Sequence, residues 1–363
     1  HFLLARGGNL PGLWAEQHAC GSKGEAFDGT RLIRPGEEYR DSAQGHVNLL
    51  GIEEMIPPVS TGDLGDPAAP FTYPELLEVM LRARTLGGLA GVAHGAALGE
   101  EPTAVVDAVL GGVDFWEIAN AHLYWPSLWY RLMNCGYALP PAGGTDLPNF
   151  PQRDPWQPFL GSLRMYVQTG GRRTFDAWKA GLLRGDVFVT SGPMIDLTVA
   201  DARPGETVSL PKGGGEVGLW SVISSPLPLQ SFEVVRNGEV EPLPVDWAME
   251  NGVHTWRIRE TVRVTRSCWF AVRGVGVPIQ ALQHVKKPGS PERNADVIAH
   301  SAAVRVLVAD SPIRSAEDAD FLSERLRRGM EYYRTRGIFE KPAQREEVVG
   351  LFAQAIAELE KRR

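Results

Sequence analysis

Residues 36–51 read GEEYRDSAQGHVNLLG, placing His46 between a glycine and an apolar run (Val47, Leu49, Leu50) that reads as a strand. A histidine in that place is either a core residue with a satisfied hydrogen bond or a ligand. Three further ionisable residues fall at the ends of strand-like segments: His94 after LAGVAH, Glu117 in VDFWEIAN and Asp146 in ALPPAGGTD. In parallel α/β architectures the carboxyl ends of strands converge on one face, and that face holds the active site. Core packing does not require three ionisable residues at three successive strand ends. His46 precedes its apolar run, fits this scheme less neatly and reads as part of an irregular insertion. Histidine with carboxylate is the ligand set of zinc, manganese or iron, where an open coordination position serves to activate water. No local spacing such as H-E-x-x-H accompanies it, so the metal-hydrolase reading rests on residue types and on where the strands end.

Other chemistries lack their residues. There is no G-x-S-x-G, no P-loop and no G-x-G-x-x-G after a strand. Ser191 in VTSGP reads as closing a turn, and PKGGGEVG (211–218) lacks the following helix that anion binding needs, so it reads as a loop.

The elements that must position these residues alternate from about residue 72 to 190. TYPELLEVMLRARTLGG opens with a Thr72-x-x-Glu75 capping box and reads as a helix; LAGVAH is a strand, EPTAVVDAVLGG a helix, VDFWEIAN a strand and WPSLWYRLMNCG a helix. That rhythm implies βα units in a parallel sheet or barrel. Beyond residue 193 the texture changes to short β-like runs separated by turn residues, with Asn237-Gly238 a strong hairpin signal, which predicts an appended antiparallel β-sandwich. Two charged amphipathic helices follow, the first opening at Ser315 and the second at Pro342. They suit packing against the body of the protein or association into a homo-oligomer.

The totals agree with a folded globular protein. At 363 residues, 43% hydrophobic and 22% charged, the chain can bury a large α/β core plus a second module. A net charge of −7 without a polybasic tract argues against nucleic acid or an anionic membrane as partner. No apolar run approaches a membrane span. Cys20, Cys135 and Cys268 are odd in number and widely spaced, which argues against a disulfide framework and a thiolate zinc site and leans mildly to reducing conditions. The chain starts at HFLLARGG without an initiator Met or signal peptide and reads as a processed or trimmed product, leaving the compartment open.

Six blocks in order, GEEYRDSAQGHVNLLG, GGLAGVAH, VDFWEIAN, LWYRLMNCGYALPPAGGTD, LRMYV and WKAGLLRGDVFVTSGP, resemble the CehA/McbA-type metallohydrolases of the PHP (polymerase and histidinol phosphatase) superfamily. The resemblance covers about residues 36–193 and extends more weakly to AHSAAVRVLVADSPI (299–313). It implies a distorted (β/α)7 barrel with a metal centre at the strand ends, and hydrolysis of ester, carbamate or amide bonds. Residue by residue, Glu38 matches the family's acidic ligand and His46, His94 and Asp146 match later ligands. Two departures stand out. The first-strand H-x-H pair is represented only by His1, as its second member, and Pro148 stands where a histidine often follows the last aspartate, which suggests fewer metals than the trinuclear members hold.

Around this set, Arg40 lies two residues from Glu38 and shares its strand face, holding the carboxylate or a substrate oxygen. Glu117 either orients a ligand histidine or pairs with Arg131 or Arg164. His122 is a substrate contact or a solvated loop histidine, and the aromatics Phe115, Trp116, Trp125 and Trp129 read as barrel wall. The expectation is a hydrolase barrel over 1–193, a β-sandwich over 194–313 and C-terminal helices over 314–363. It acts on a small-molecule substrate with zinc, manganese or iron, with Asp146 orienting the water and taking its proton. The alternatives are a phosphoesterase on the same barrel, or an inactive barrel whose sandwich binds carbohydrate or protein.

Overall fold

A computed structural model describes residues 2–5, 20–41, 44–56, 72–96, 103–120, 123–146, 160–276 and 297–363. The protein is a mixed α/β chain with several sheets and a C-terminal helical pair. It divides into two compact units, neither continuous in sequence: His1–Trp116, Arg172–Lys179 and Ser315–Arg363 form the first, Glu117–Gly171 and Ala180–Arg314 the second.

In the first unit the sheet runs β1 (Phe2–Ala5), β4 (Pro35–Asp41), β5 (Gly45–Leu50), β6 (Leu89–Val92) and the first two residues of β7 (Phe115–Asn120), whose remainder from Glu117 on belongs to the second unit; a small hairpin of β2 (Ala26–Phe27) and β3 (Leu32–Ile33) completes the described strands of the first unit. β1 and β4 are parallel, as are β6 and β7, whereas β4–β5 and β5–β6 are antiparallel. Among the described residues no closed barrel is found. The antiparallel β4–β5 pairing has its physical reason in the short connection from Asp41 to Gly45, since a parallel partner needs a crossover of about a dozen residues. That crossover exists between β6 and β7, where α2 (Ala104–Val109) intervenes.

The helix α1 (Leu76–Thr85) buries Leu76, Leu77, Val79, Met80 and Ala83. The capping box expected at Thr72 is not the device that starts it. Glu75 is the N-cap, its own carboxylate accepting from the Leu77 N–H at 2.7 Å. Thr72 instead lies before the helix, where its N–H and its hydroxyl both donate to the Ile338 carbonyl, at 2.8 and 2.9 Å. The tail helices are α5 (Ala316–Arg336), capped by Ser315, and α6 (Pro342–Glu360), with proline in its first turn. Their apolar stripes meet at Tyr333 and Phe352, ring centroids 5.4 Å apart, and belong to the first unit.

The second unit takes β8 (Leu123–Tyr124) and β9 (Pro141–Gly144), both pairing with β7, the helix α3 (Ser127–Asn134), and a sandwich of two sheets. One sheet is ordered β10 (Arg164–Val167), β11 (Val187–Thr190), β20 (Ile298–Ser301), β19 (Cys268–Gly276), β15 (Leu229–Arg236), β16 (Glu239–Glu241), with β21 (Val304–Val308) and β13 (Thr207–Leu210) alongside; α4 (Phe175–Arg184), which belongs to the first unit as far as Lys179, links β10 to β11. The other is β12 (Met194–Val199), β14 (Gly215–Ser225), β18 (Val253–Val264) and β17 (Asp246–Glu250). Their inner faces interdigitate through Leu197, Leu219, Ile223 and Ile258 against Phe232, Val234, Phe270 and Val272. Asn237 and Gly238, at φ +50° and +89°, make the predicted hairpin turn between β15 and β16. PKGGGEVG joins strand to strand, and Ser191 sits in a turn where its Oγ accepts from the Ile298 N–H at 2.9 Å. All three cysteines are buried and none is in a disulfide, and no helix among the described residues is long and apolar enough to cross a membrane.

Candidate metal centre

The β4–β5 ladder builds the site. Alternation along each strand puts Glu38 and Arg40 on one face of β4 and His46 and Asn48 on one face of β5. Register sets Arg40 opposite His46 and Glu38 opposite Asn48, so the four polar residues form a patch on one side of the hairpin. Glu37 and Tyr39 point the other way, and a Glu37 carboxylate oxygen accepts the Ile56 N–H at 2.8 Å. His94 arrives from the next strand: β6 ends at Val92, and the chain turns through a short 3-10 segment in which His94 has φ +53°. A left-handed backbone at a non-glycine residue costs of order 1 kcal/mol and is concentrated where side chains must be aimed. Beyond Asn48 the row continues to Gly91, where an added Cβ would come 2.1 Å from the Phe115 ring; only glycine lets that ring pack there.

Glu38, His46 and His94 each bring a ligand atom into a group whose members lie within 4.8 Å of one another. His46 Nδ1 is 3.2 Å from Glu38 Oε1, and His94 Nε2 is 3.8 Å from the same oxygen. The two imidazoles meet edge to face, centroids 5.0 Å apart at 70°. Two donors on one ion with bonds of about 2.1 Å stand about 3.4 Å apart in a tetrahedral centre, so these separations match a shared cation. The buried His46 Nδ1 has no aligned hydrogen-bond partner despite its closeness to the carboxylate. A cation between nitrogen and oxygen would satisfy both, so the residues present fit a divalent metal.

Burial by itself would raise the Glu38 pKa; His46, Arg40 and His94 more than offset it and hold the carboxyl below its usual value. The acid therefore stays an anion, as a hard-metal ligand must. Arg40 is exposed on the strand face it shares with Glu38.

The remaining predicted site residues are placed as follows. Asp146 lies just after β9 in the second unit, exposed and with φ +47°. Glu117 is buried on β7 in the same unit, where it accepts from Asn120 Nδ2 at 3.1 Å, and a Cβ on Gly144 would come 3.1 Å from its other oxygen. His1, His122 and Pro148 lie outside the described residues. Asn48, 8% exposed and opposite Glu38, is a further residue of this patch; its sequence signal is a polar residue two positions from His46 in an otherwise apolar strand.

No family model, curated protein or solved structure matches the chain. The candidate site therefore stands on its own geometry.

Proposed function

We propose that the chain is a metal-dependent hydrolase acting on an ester, carbamate or amide bond of a small molecule, with Glu38, His46 and His94 as metal ligands. The observation that carries this reading is the convergence of one ligand atom from each of those three side chains to within 4.8 Å of one another. When bound, a divalent zinc, manganese or iron ion supplies Lewis acidity, acidifying water and polarising a carbonyl oxygen. Glu38 contributes fixed negative charge, and the histidines contribute directional neutral donors. Arg40, exposed beside them, offers a guanidinium to a substrate oxygen as negative charge develops on it. Asn48 faces the carboxylate and suits holding its orientation.

The resemblance to PHP-type metallohydrolases belongs to this proposal, and with it the (β/α)7 barrel, His1 as a further ligand, Asp146 as ligand and proton acceptor, and Glu117 as a positioning residue. The parallel β6–α2–β7 unit and the polar strand ends favour it. The test is a turnover screen of metal-supplemented protein on aryl esters, aryl carbamates, anilides and aryl phosphates, run beside Glu38→Gln and Asp146→Asn. The proposal expects carbonyl substrates to turn over and Glu38→Gln to lower the rate at least about 100-fold. Turnover of phosphate esters alone would move the assignment to a phosphoesterase. Activity that ignores Glu38→Gln would overturn the site.

A further inference from the structure

The second unit carries a cleft that the proposed hydrolysis does not use. Its volume is about 400 Å³, in the lower part of the roughly 300–1,000 Å³ of small-molecule sites. Among its lining residues Tyr166 and Phe188, register partners on β10 and β11, stack with centroids 4.9 Å apart and planes within 9°. Tyr166 is 39% exposed and Met194, on strand β12 of the other sheet, is 45% exposed, so part of the apolar lining meets water. Arg203, also in the lining, reaches between two acids, Nε 3.5 Å from Asp186 Oδ2 and Nη2 3.4 Å from Asp196 Oδ1. These contacts are long, and the buried Arg203 Nε has no hydrogen-bond partner.

The combination restricts what can bind. Two carboxylates and one guanidinium leave the cleft negative, which repels phosphates, nucleotides and acidic peptides. A cation would have to displace Arg203 from the carboxylates it already faces. A purely apolar ligand would strip water from three charges without replacing their hydrogen bonds. A neutral polyol avoids each cost, because every hydroxyl both donates to a carboxylate and accepts from a guanidinium. The apolar face of a sugar ring can in turn cover the aromatic surface.

We propose that this cleft, formed by Tyr166, Phe188, Met194, Asp186, Asp196 and Arg203, is a binding site for a pyranose unit of a neutral carbohydrate. The site is separate from the metal centre: its residues all belong to the second unit, and Glu38, His46 and His94 are not among them.

The test is isothermal titration, with saturation-transfer NMR, of the full chain against cellobiose, maltose, xylobiose, mannobiose, lactose and chitobiose, with galacturonic acid and spermidine as charged probes. Tyr166→Ala and Arg203→Met are compared with Trp247→Ala on β17, exposed but no part of the cleft, and thermal melting checks that each variant is folded. At least one neutral disaccharide is expected to bind, with affinity falling about tenfold, or about 1.4 kcal/mol, in both cleft variants and unchanged in Trp247→Ala. Arg203→Lys, which keeps the charge without the planar fork, should fall between wild type and Arg203→Met. The inference is overturned if no neutral sugar binds, if binding survives both cleft variants, or if only galacturonic acid or spermidine binds.

Discussion

Protonation of His300 should be a main reason the second unit loses stability in acid. His300 is fully buried on β20; it lies 2.7 Å through Nδ1 from the Ser301 carbonyl and 2.7 Å through Nε2 from the Tyr130 hydroxyl. The ring therefore donates from Nδ1 and accepts at Nε2, which is the neutral tautomer. Burial, helped by the nearby Arg273 and only partly opposed by the Ser301 carbonyl, pulls its pKa from 6.5 to about 3. Between those values the unfolded chain binds a proton that the folded chain refuses, so stability is complete above about pH 6.5 and is lost as pH falls towards 3. Each pH unit in that window is worth about 1.4 kcal/mol, giving about 2 kcal/mol lost by about pH 5 and about 5 kcal/mol over the whole interval. His300→Gln keeps an acceptor for Tyr130 and does not titrate. Urea unfolding followed by tryptophan fluorescence at about pH 7.5 and pH 5 should show wild type losing about 2 kcal/mol more than His300→Gln. Equal losses in the two proteins would refute the reasoning.

The first unit should behave in the opposite sense. Burial, reinforced by the charge of Glu75, holds the Asp107 carboxyl well above its usual pKa, and Glu75 is also raised. The folded chain then keeps protons that the unfolded chain has released, so this pair costs stability as pH rises from the ordinary carboxylate range through neutrality. Asp107→Asn should flatten that dependence in pH-resolved melting; an unchanged profile would contradict the shared burial. Gly51 ends β5 with φ +77°, and an added Cβ would sit 2.6 Å from the Phe175 ring. Gly51→Ala should lower stability by about 2 kcal/mol or more. Gly111→Ala, with φ +82° and nothing within 4 Å of the added carbon, should cost only about 1 kcal/mol. Equal effects in calorimetric melting would show that the Phe175 clash is not felt.

Local rules made much of the architecture legible. The helix of residues 76–85, the hairpin at Asn237-Gly238, Ser315 as a cap and the strand run before His94 follow from periodicity and turn chemistry within a few residues. Pairing was not legible, because it depends on partners distant in sequence. β11 joins β20 across more than a hundred residues, so the sandwich sheet takes in strands that precede residue 194. Likewise the tail helices share the first unit with β4–β6, joined through contacts such as Thr72 with Ile338. The site shows the same split. Glu38 and His46 are eight positions apart, and nothing in their spacing shows that β5 pairs antiparallel with β4 and brings them together. The antiparallel register does so, and with it Asn48 becomes the partner across from Glu38. His46, which fitted a parallel-barrel scheme poorly, fits once β4 and β5 form a hairpin. Glu75 took the capping role expected of Thr72, because its carboxylate reaches the free Leu77 N–H while Thr72 is drawn to Ile338.

The most direct test of the metal centre is metal content. Untagged protein would be incubated with zinc or manganese, dialysed, and measured by plasma mass spectrometry beside His46→Ala, His94→Ala and Asp146→Ala, with circular dichroism confirming that each is folded. The account predicts near-integral metal in the wild type that falls in both histidine variants, and the Asp146→Ala result decides whether that residue joins the ligand set. A folded wild type that retains neither metal, or histidine variants that retain as much as wild type, would contradict it.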